Sequence, residues 1–216
     1  MAELMVTLQG RWFLGYPGTH GEPVVDGATE GAFCDSCGAR FLGEMVVTSA
    51  LVSWLPEDFV HPVYVPVPHT ALHLRPIREA DTALDYPAVM GSRERLWEIF
   101  GPAWGWPTET MTYEEDRIDL LRHEKEIAAH QSFNYALLDE EETAIFGCVY
   151  IDPPERTGSD GEISWWVVDD LVGSETERAL DALVPQWIAA DWPFQRPRYL
   201  GRDITWQDWL ALPRAS

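Results

Sequence analysis

Three apolar runs follow one another with little chain between them: Phe133 to Leu138, Ala144 to Ile151 and Glu162 to Val168. Each is short, apolar or aromatic for most of its length, and bounded by polar residues, the signature of a β-strand. The connections are the acidic stretch Asp139 to Glu142 and the loop Asp152 to Gly161. Both are short enough for hairpins, so the three strands are expected to pair antiparallel.

Helix signals flank this sheet on both sides. Thr112 followed by Glu115 forms a capping box, in which the hydroxyl accepts a backbone N–H and the carboxylate reaches back to the cap. It predicts a helix from Tyr113 to about His130, with acids in its first turn, where the helix dipole favours them, and Ile118, Leu121 and Ala128 near one face. Ser174 with Glu177 is a second capping box. It opens a helix carrying Leu180, Leu183, Val184, Trp187 and Ile188 at helical spacing, which Pro185 should kink. Ala80 to Phe100, interrupted by Pro87 and Gly91, predicts two short helices. Ala71 to Ile77 alternates weakly as a first strand, and Arg198 to Leu200 is a last one. The tail with Trp206 and Trp209 should dock on the core.

The punctuation divides the chain into three parts. Residues 1–54 carry short β-prone runs between glycine-rich turns and predict a small β-rich N-terminal extension. Residues 55–68 hold Pro56, Pro62, Pro66 and Pro68 and read as an extended linker. Residues 69–216 form the main domain. The fold class is therefore α/β (α+β): a central mixed, mostly antiparallel sheet flanked by helices, with the β-rich extension in front.

Charge narrows the function. Against 15 Lys and Arg stand 36 Asp and Glu, a net charge of -21 in 216 residues. That repels phosphate backbones and anionic membrane surfaces, so neither nucleic acid nor membrane is an expected partner. No apolar run reaches the roughly 18–20 residues needed to span a bilayer. The N-terminus, with an acid where a signal peptide carries bases, points to the cytoplasm.

Cys34 and Cys37 form a knuckle-like turn whose thiolates could share a metal. Zinc needs four ligands, however, and no second such pair exists; His20, His61, His69 or a symmetry partner would have to complete the site, so reduced cysteines are expected. Cys148, mid-strand, reads as a core thiol. His123 and His130 are about 10 Å apart along a helix and read as surface residues. No phosphate-binding loop, dinucleotide fingerprint or hydrolase elbow occurs.

Local segments carry a family resemblance. Trp54-Leu55-Pro56-Glu57-Asp58-Phe59, Met111-Thr112-Tyr113-Glu114-Glu115-Asp116, Gly147-Cys148-Val149-Tyr150-Ile151-Asp152-Pro153 and Asp191-Trp192-Pro193-Phe194 are similar to a bacterial branch of GNAT-like proteins. The order strand, two helices, three antiparallel strands, helix, strand resembles the GNAT N-acetyltransferase core from about His69 to Trp206. The resemblance implies an acyl-CoA-dependent N-acyltransferase, using acetyl-CoA or another acyl-CoA on the amine of a small molecule or peptide. Pantetheine would run along the strand holding Trp166, Val167 and Val168, with the pyrophosphate at the helix start by Gly173 and Ser174. Glu162 would take the amine proton, and Asp152, Asp160, Trp104 and Trp106 would line the acceptor side.

Two features depart from that pattern. The phosphate signature aligns with Asp170-Leu171-Val172-Gly173-Ser174-Glu175, where only Gly173 matches and two carboxylates face the expected anion. Few residues follow Leu200, so the N-terminal extension or a second subunit, as in a homodimer, is needed if the sheet is to be completed. These departures make a non-catalytic GNAT-like binding or assembly module the alternative.

Overall fold

A computed structural model of the chain describes residues 54–215. Strands β1 (Val65–Val67), β2 (Leu72–Pro76), β3 (Phe133–Asp139), β4 (Ile145–Asp152), β5 (Gly161–Val167) and β6 (Pro197–Tyr199) form one sheet in which each pairs with the next. Every pair is antiparallel except β5 with β6, which is parallel because α4 (Glu175–Asp191) makes the crossover between them. Helices α1 (Thr82–Gly91), α2 (Arg93–Trp104) and α3 (Tyr113–Ala128) lie between β2 and β3, and α5 (Trp206–Ala211) follows β6. The expected mixed, mostly antiparallel sheet flanked by helices is present.

Residues 55–68, read as a linker, contribute β1. Val65 and Val67 are buried, and Pro66 points outward on an edge strand, where a missing N–H breaks no ladder. Residues 1–53, and with them Cys34 and Cys37, lie outside the described residues. Among the described residues no helix is long and apolar enough to cross a membrane, and no cluster of three metal-ligating side chains occurs.

Strand alternation sends successive side chains to opposite layers. On one face Tyr135 packs against Trp187 of α4 at 4.9 Å between ring centroids, and Trp165 donates its indole N–H to Asp181 at 2.7 Å. On the other, Cys148 reaches Asp85 of α1, Tyr150 meets Phe100 of α2, and Asn134 contacts His123 of α3. Covered on both faces, β3 and β5 are buried along almost their whole length, which is why they stand out as continuous apolar runs.

Three local expectations need correction. The two expected helices are present and α1 ends at Gly91 as expected, but Pro87 does not interrupt it and lies inside α1. Helix α3 starts with its predicted capping box but ends at Ala128, and its buried face is Asp116, Leu120 and Ile127, while Ile118 is 53% exposed. The apolar pattern pointed to the wrong face because polar side chains fill part of the buried one. In α4, Ser174 caps the amide of Glu177 as expected, but the Glu177 carboxylate accepts from the amide of Gly173 at 2.6 Å instead of returning to Ser174.

Candidate cofactor and active site

The cleft follows from the topology. Strands β5 and β6 pair only over Gly161–Ile163 and Pro197–Tyr199, with a last bond from Leu200 N to Ile163 O at 2.8 Å. Beyond it the chain of β6 turns away, so the edge of β5 at Ser164 to Val167 has no β6 partner. Such a divergence beside a helix N-terminus is the place where the family resemblance puts the cofactor.

Side chains of the protein meet beside this opening. Trp165 lies between Tyr199, at 6.1 Å between rings, and the guanidinium of Arg202, 4.7 Å from the Trp165 ring centroid. Arg202 also pairs with Asp181, which accepts the Trp165 indole N–H. At the inner end of the same edge, Arg95 of α2 donates to the carbonyl of Val167 and pairs with Asp169 at 2.7 Å. Trp166 faces the other layer and donates to the Tyr150 hydroxyl at 2.8 Å, and the Val168 amide is taken by the Phe146 carbonyl at 2.9 Å.

The turn between β5 and α4 decides whether a pyrophosphate fits. Helix-start amides attract anions because they lack intrahelical acceptors. Here the Gly173 amide is bonded to the carboxylate of Glu177, and the Glu177 amide to the Ser174 hydroxyl at 3.2 Å. Arg178 turns to the Gly173 carbonyl at 2.7 Å rather than to Asp170. A carboxylate oxygen of the protein thus holds one of the helix-start amides, with Asp169, Asp170 and Glu175 in the same turn. The residues present do not fit the pyrophosphate of CoA.

Glu162 is 3% exposed. Its Oε1 accepts from Trp209 Nε1 at 2.8 Å, from Arg198 at 3.3 Å and from Ser159 Oγ at 3.4 Å; its Oε2 accepts from the Glu155 amide at 2.9 Å. This carboxylate joins α5, β6 and the β4–β5 loop. Asp160 has a similar local use, accepting from the amides of Gln195 and Arg196. Asp152 ends β4 opposite Glu162 in register.

Trp104 and Trp106 both pack on Phe100, the first stacked at 5.3 Å and the second edge-on at 5.8 Å. Trp104 also meets Trp206 at 5.2 Å. Aromatic rings therefore fill the space between α2, β4 and α5. Two surface hollows, of about 280 and 340 Å³, lie elsewhere, one beside Ile77 and Ile127, the other beside Leu84 and Ile145, and neither is lined by any of these candidate residues.

Sequence reasoning missed Arg95, Asp181 and Arg202. Arg202 sits in the turn after β6 and Arg95 in the middle of α2, positions with no motif value. Only the folded sheet brings them to one strand edge. The Glu177 contact was legible in part, because the capping pair was seen and only its direction was misread.

No family model matches the sequence, and no curated protein matches it. Among solved structures the chain is similar to the ribosomal-protein-S5-alanine acetyltransferase from Vibrio fischeri (18% identity, TM-score 0.44, 60% of this chain and 69% of that one). It is similar also to the RimL ribosomal L7/L12 alpha-N-protein acetyltransferase (20%, 0.44, 62% and 70%). A third is the Salmonella typhimurium acetyltransferase that modifies the N-terminal serine of L7/L12 (17%, 0.46, 59% and 70%).

Proposed function

We propose that the chain is a non-catalytic GNAT-like binding module whose cofactor cleft is closed by its own side chains. The observation that carries this reading is the Glu177 carboxylate on the Gly173 amide at 2.6 Å. A pyrophosphate would have to displace it and then tolerate it nearby. The burial of Glu162, with structural donors already on both of its oxygens, favours the same reading, since a base must be reached by its substrate. The partner that suits a net charge of -21 is cationic, an amine-bearing small molecule or a basic peptide, drawn by charge complementarity.

One observation favours the acyltransferase reading: β5 and β6 diverge beyond Ile163, leaving strand edge to which an acyl-CoA arm could pair. In that case Glu162, or a water it holds, would take the proton from an amine attacking the thioester. A thiol-release assay with acetyl-CoA and a panel of polyamines and basic peptides separates the two. The module reading expects no turnover above background, together with salt-sensitive binding of one of the cations. Amine-dependent release of CoA abolished by Glu162→Gln would establish the enzyme.

A further inference from the structure

Asp85 of α1 and Asp116 of α3 meet in the layer between the sheet and the helices, 3% and 1% exposed, at hydrogen-bonding range of one another. Two ionised carboxylates cannot hydrogen-bond each other, because neither carries a donor. The arginines of this layer are committed elsewhere, Arg75 to Asp81 and Arg122 to Asp119 and Glu126. The groups facing the pair are Asp119 and His123 from α3, and Cys148 and Tyr150 from β4. Cys148 donates its thiol to Asp85 Oδ1 at 3.8 Å, a weak bond. His123 is the one cation among them, and it is held at 3.4 Å by Asp119 and 3.3 Å by Glu126. Asp116 Oδ2 is buried without a hydrogen-bond partner.

We propose that Asp85 and Asp116 share a single proton in the native protein, and that its loss at higher pH loosens the packing of α1 on α3. The helical layer then contains a pH-responsive latch. Burial pushes both carboxyls above the ordinary range; Asp116 and Asp119 add to the rise at Asp85, and Asp119 to that at Asp116, against the opposing pull of His123 on both and of the Asp85 contact on Asp116. A carboxyl whose native pKa is raised stabilises the fold fully below its unfolded value, near about 4. That contribution is lost as pH rises through the native value. His123 titrates in the same window: the carboxylates of Asp119 and Glu126 outweigh its burial and raise it to about 9, so its contribution also fades as pH rises above about 6.5, and the carboxyl band and the comparison with Asp85→Asn separate the two.

The test is infrared difference spectroscopy of the full chain with thermal unfolding in parallel, titrated from about pH 6 to about pH 9, where exposed carboxyls are already ionised. The proposal expects a protonated-carboxyl band in wild type that disappears as pH rises, in step with a falling melting temperature. Asp85→Asn, which keeps a donor without the charge, should lack the band and show a flatter decline. No band in wild type, a band unchanged in both Asp85→Asn and Asp116→Asn, or equal pH slopes would overturn it. If neither variant folds, the wild-type band decides, its absence above about pH 6 counting against the shared proton.

Discussion

Replacing Glu162 with alanine tests whether that carboxylate is structural or chemical. The substitution strands the Trp209 indole N–H at 2.8 Å and the Glu155 amide at 2.9 Å, and weakens the longer contacts to Arg198 and Ser159. A buried donor left without an acceptor costs about 1–3 kcal/mol. Arg198 keeps 15% of its side-chain surface and can recover some hydration, so its share lies at the low end. The sum is about 3–5 kcal/mol, the range expected when one member of a buried charged pair is removed. In a domain of this size each kcal/mol moves the melting point about 2–4 °C, so Glu162→Ala should melt about 6–20 °C lower. Trp209→Phe removes one of these bonds and should cost about 1.5–3 kcal/mol. The two changes together should cost less than their sum, because they share a contact. Urea and thermal unfolding measure both. If Glu162→Ala melts at or above the wild-type temperature, as happens when a group is kept for function at the expense of stability, the structural account of Glu162 is wrong.

Three further outcomes follow from other parts of the fold. Gly147 has φ +154 and a Cβ there would lie 2.1 Å from the Trp166 carbonyl oxygen, so Gly147→Ala should cost about 4 kcal/mol or more or prevent folding, read by soluble yield and circular dichroism. Asp81→Asn leaves the buried Arg75 guanidinium, now bonded to it at 2.7 and 2.8 Å, with Glu142 as its remaining carboxylate, and should lower the urea midpoint by an amount equivalent to about 3 kcal/mol. Burial would raise the Glu126 carboxyl, but His123 and Arg122 hold it down at about 2. Its stabilisation is therefore complete above the unfolded value of about 4.3 and fades as pH falls below that, and Glu126→Gln should flatten the acid limb of a stability-versus-pH curve.

The sheet was legible because its central strands are buried on both faces and so present unbroken apolar runs bounded by turns. Helices α3 and α4 were legible because Thr112 and Ser174 announce their starts. The face of α3 was not, since Asp116 and His123 occupy positions that an apolar pattern assigns to solvent, and Ile118 occupies one it assigns to the core. Strand β1 was hidden behind four prolines, which mark extended chain but cannot tell a linker from an edge strand. At the candidate site, the missing phosphate signature could be read directly from Asp170 and Glu175. What fills the cleft could not, because Trp165, Asp181 and Arg202 meet only after α4 has crossed the sheet and β6 has turned away.

If the cleft is closed against CoA by the protein's own carboxylates, as proposed, thermal shift with acetyl-CoA, checked by calorimetry, will show it. The wild-type chain should show no shift and no binding heat at any attainable ligand concentration. The variant Asp170→Arg, Glu175→Ala, Glu177→Ala frees the Gly173 amide and reverses the local charge, and should gain affinity by about tenfold to a hundredfold. Wild-type protein stabilised by about 2.7 kcal/mol at a hundred times a measured Kd would show that the turn accepts the cofactor as it stands and that the cleft is open.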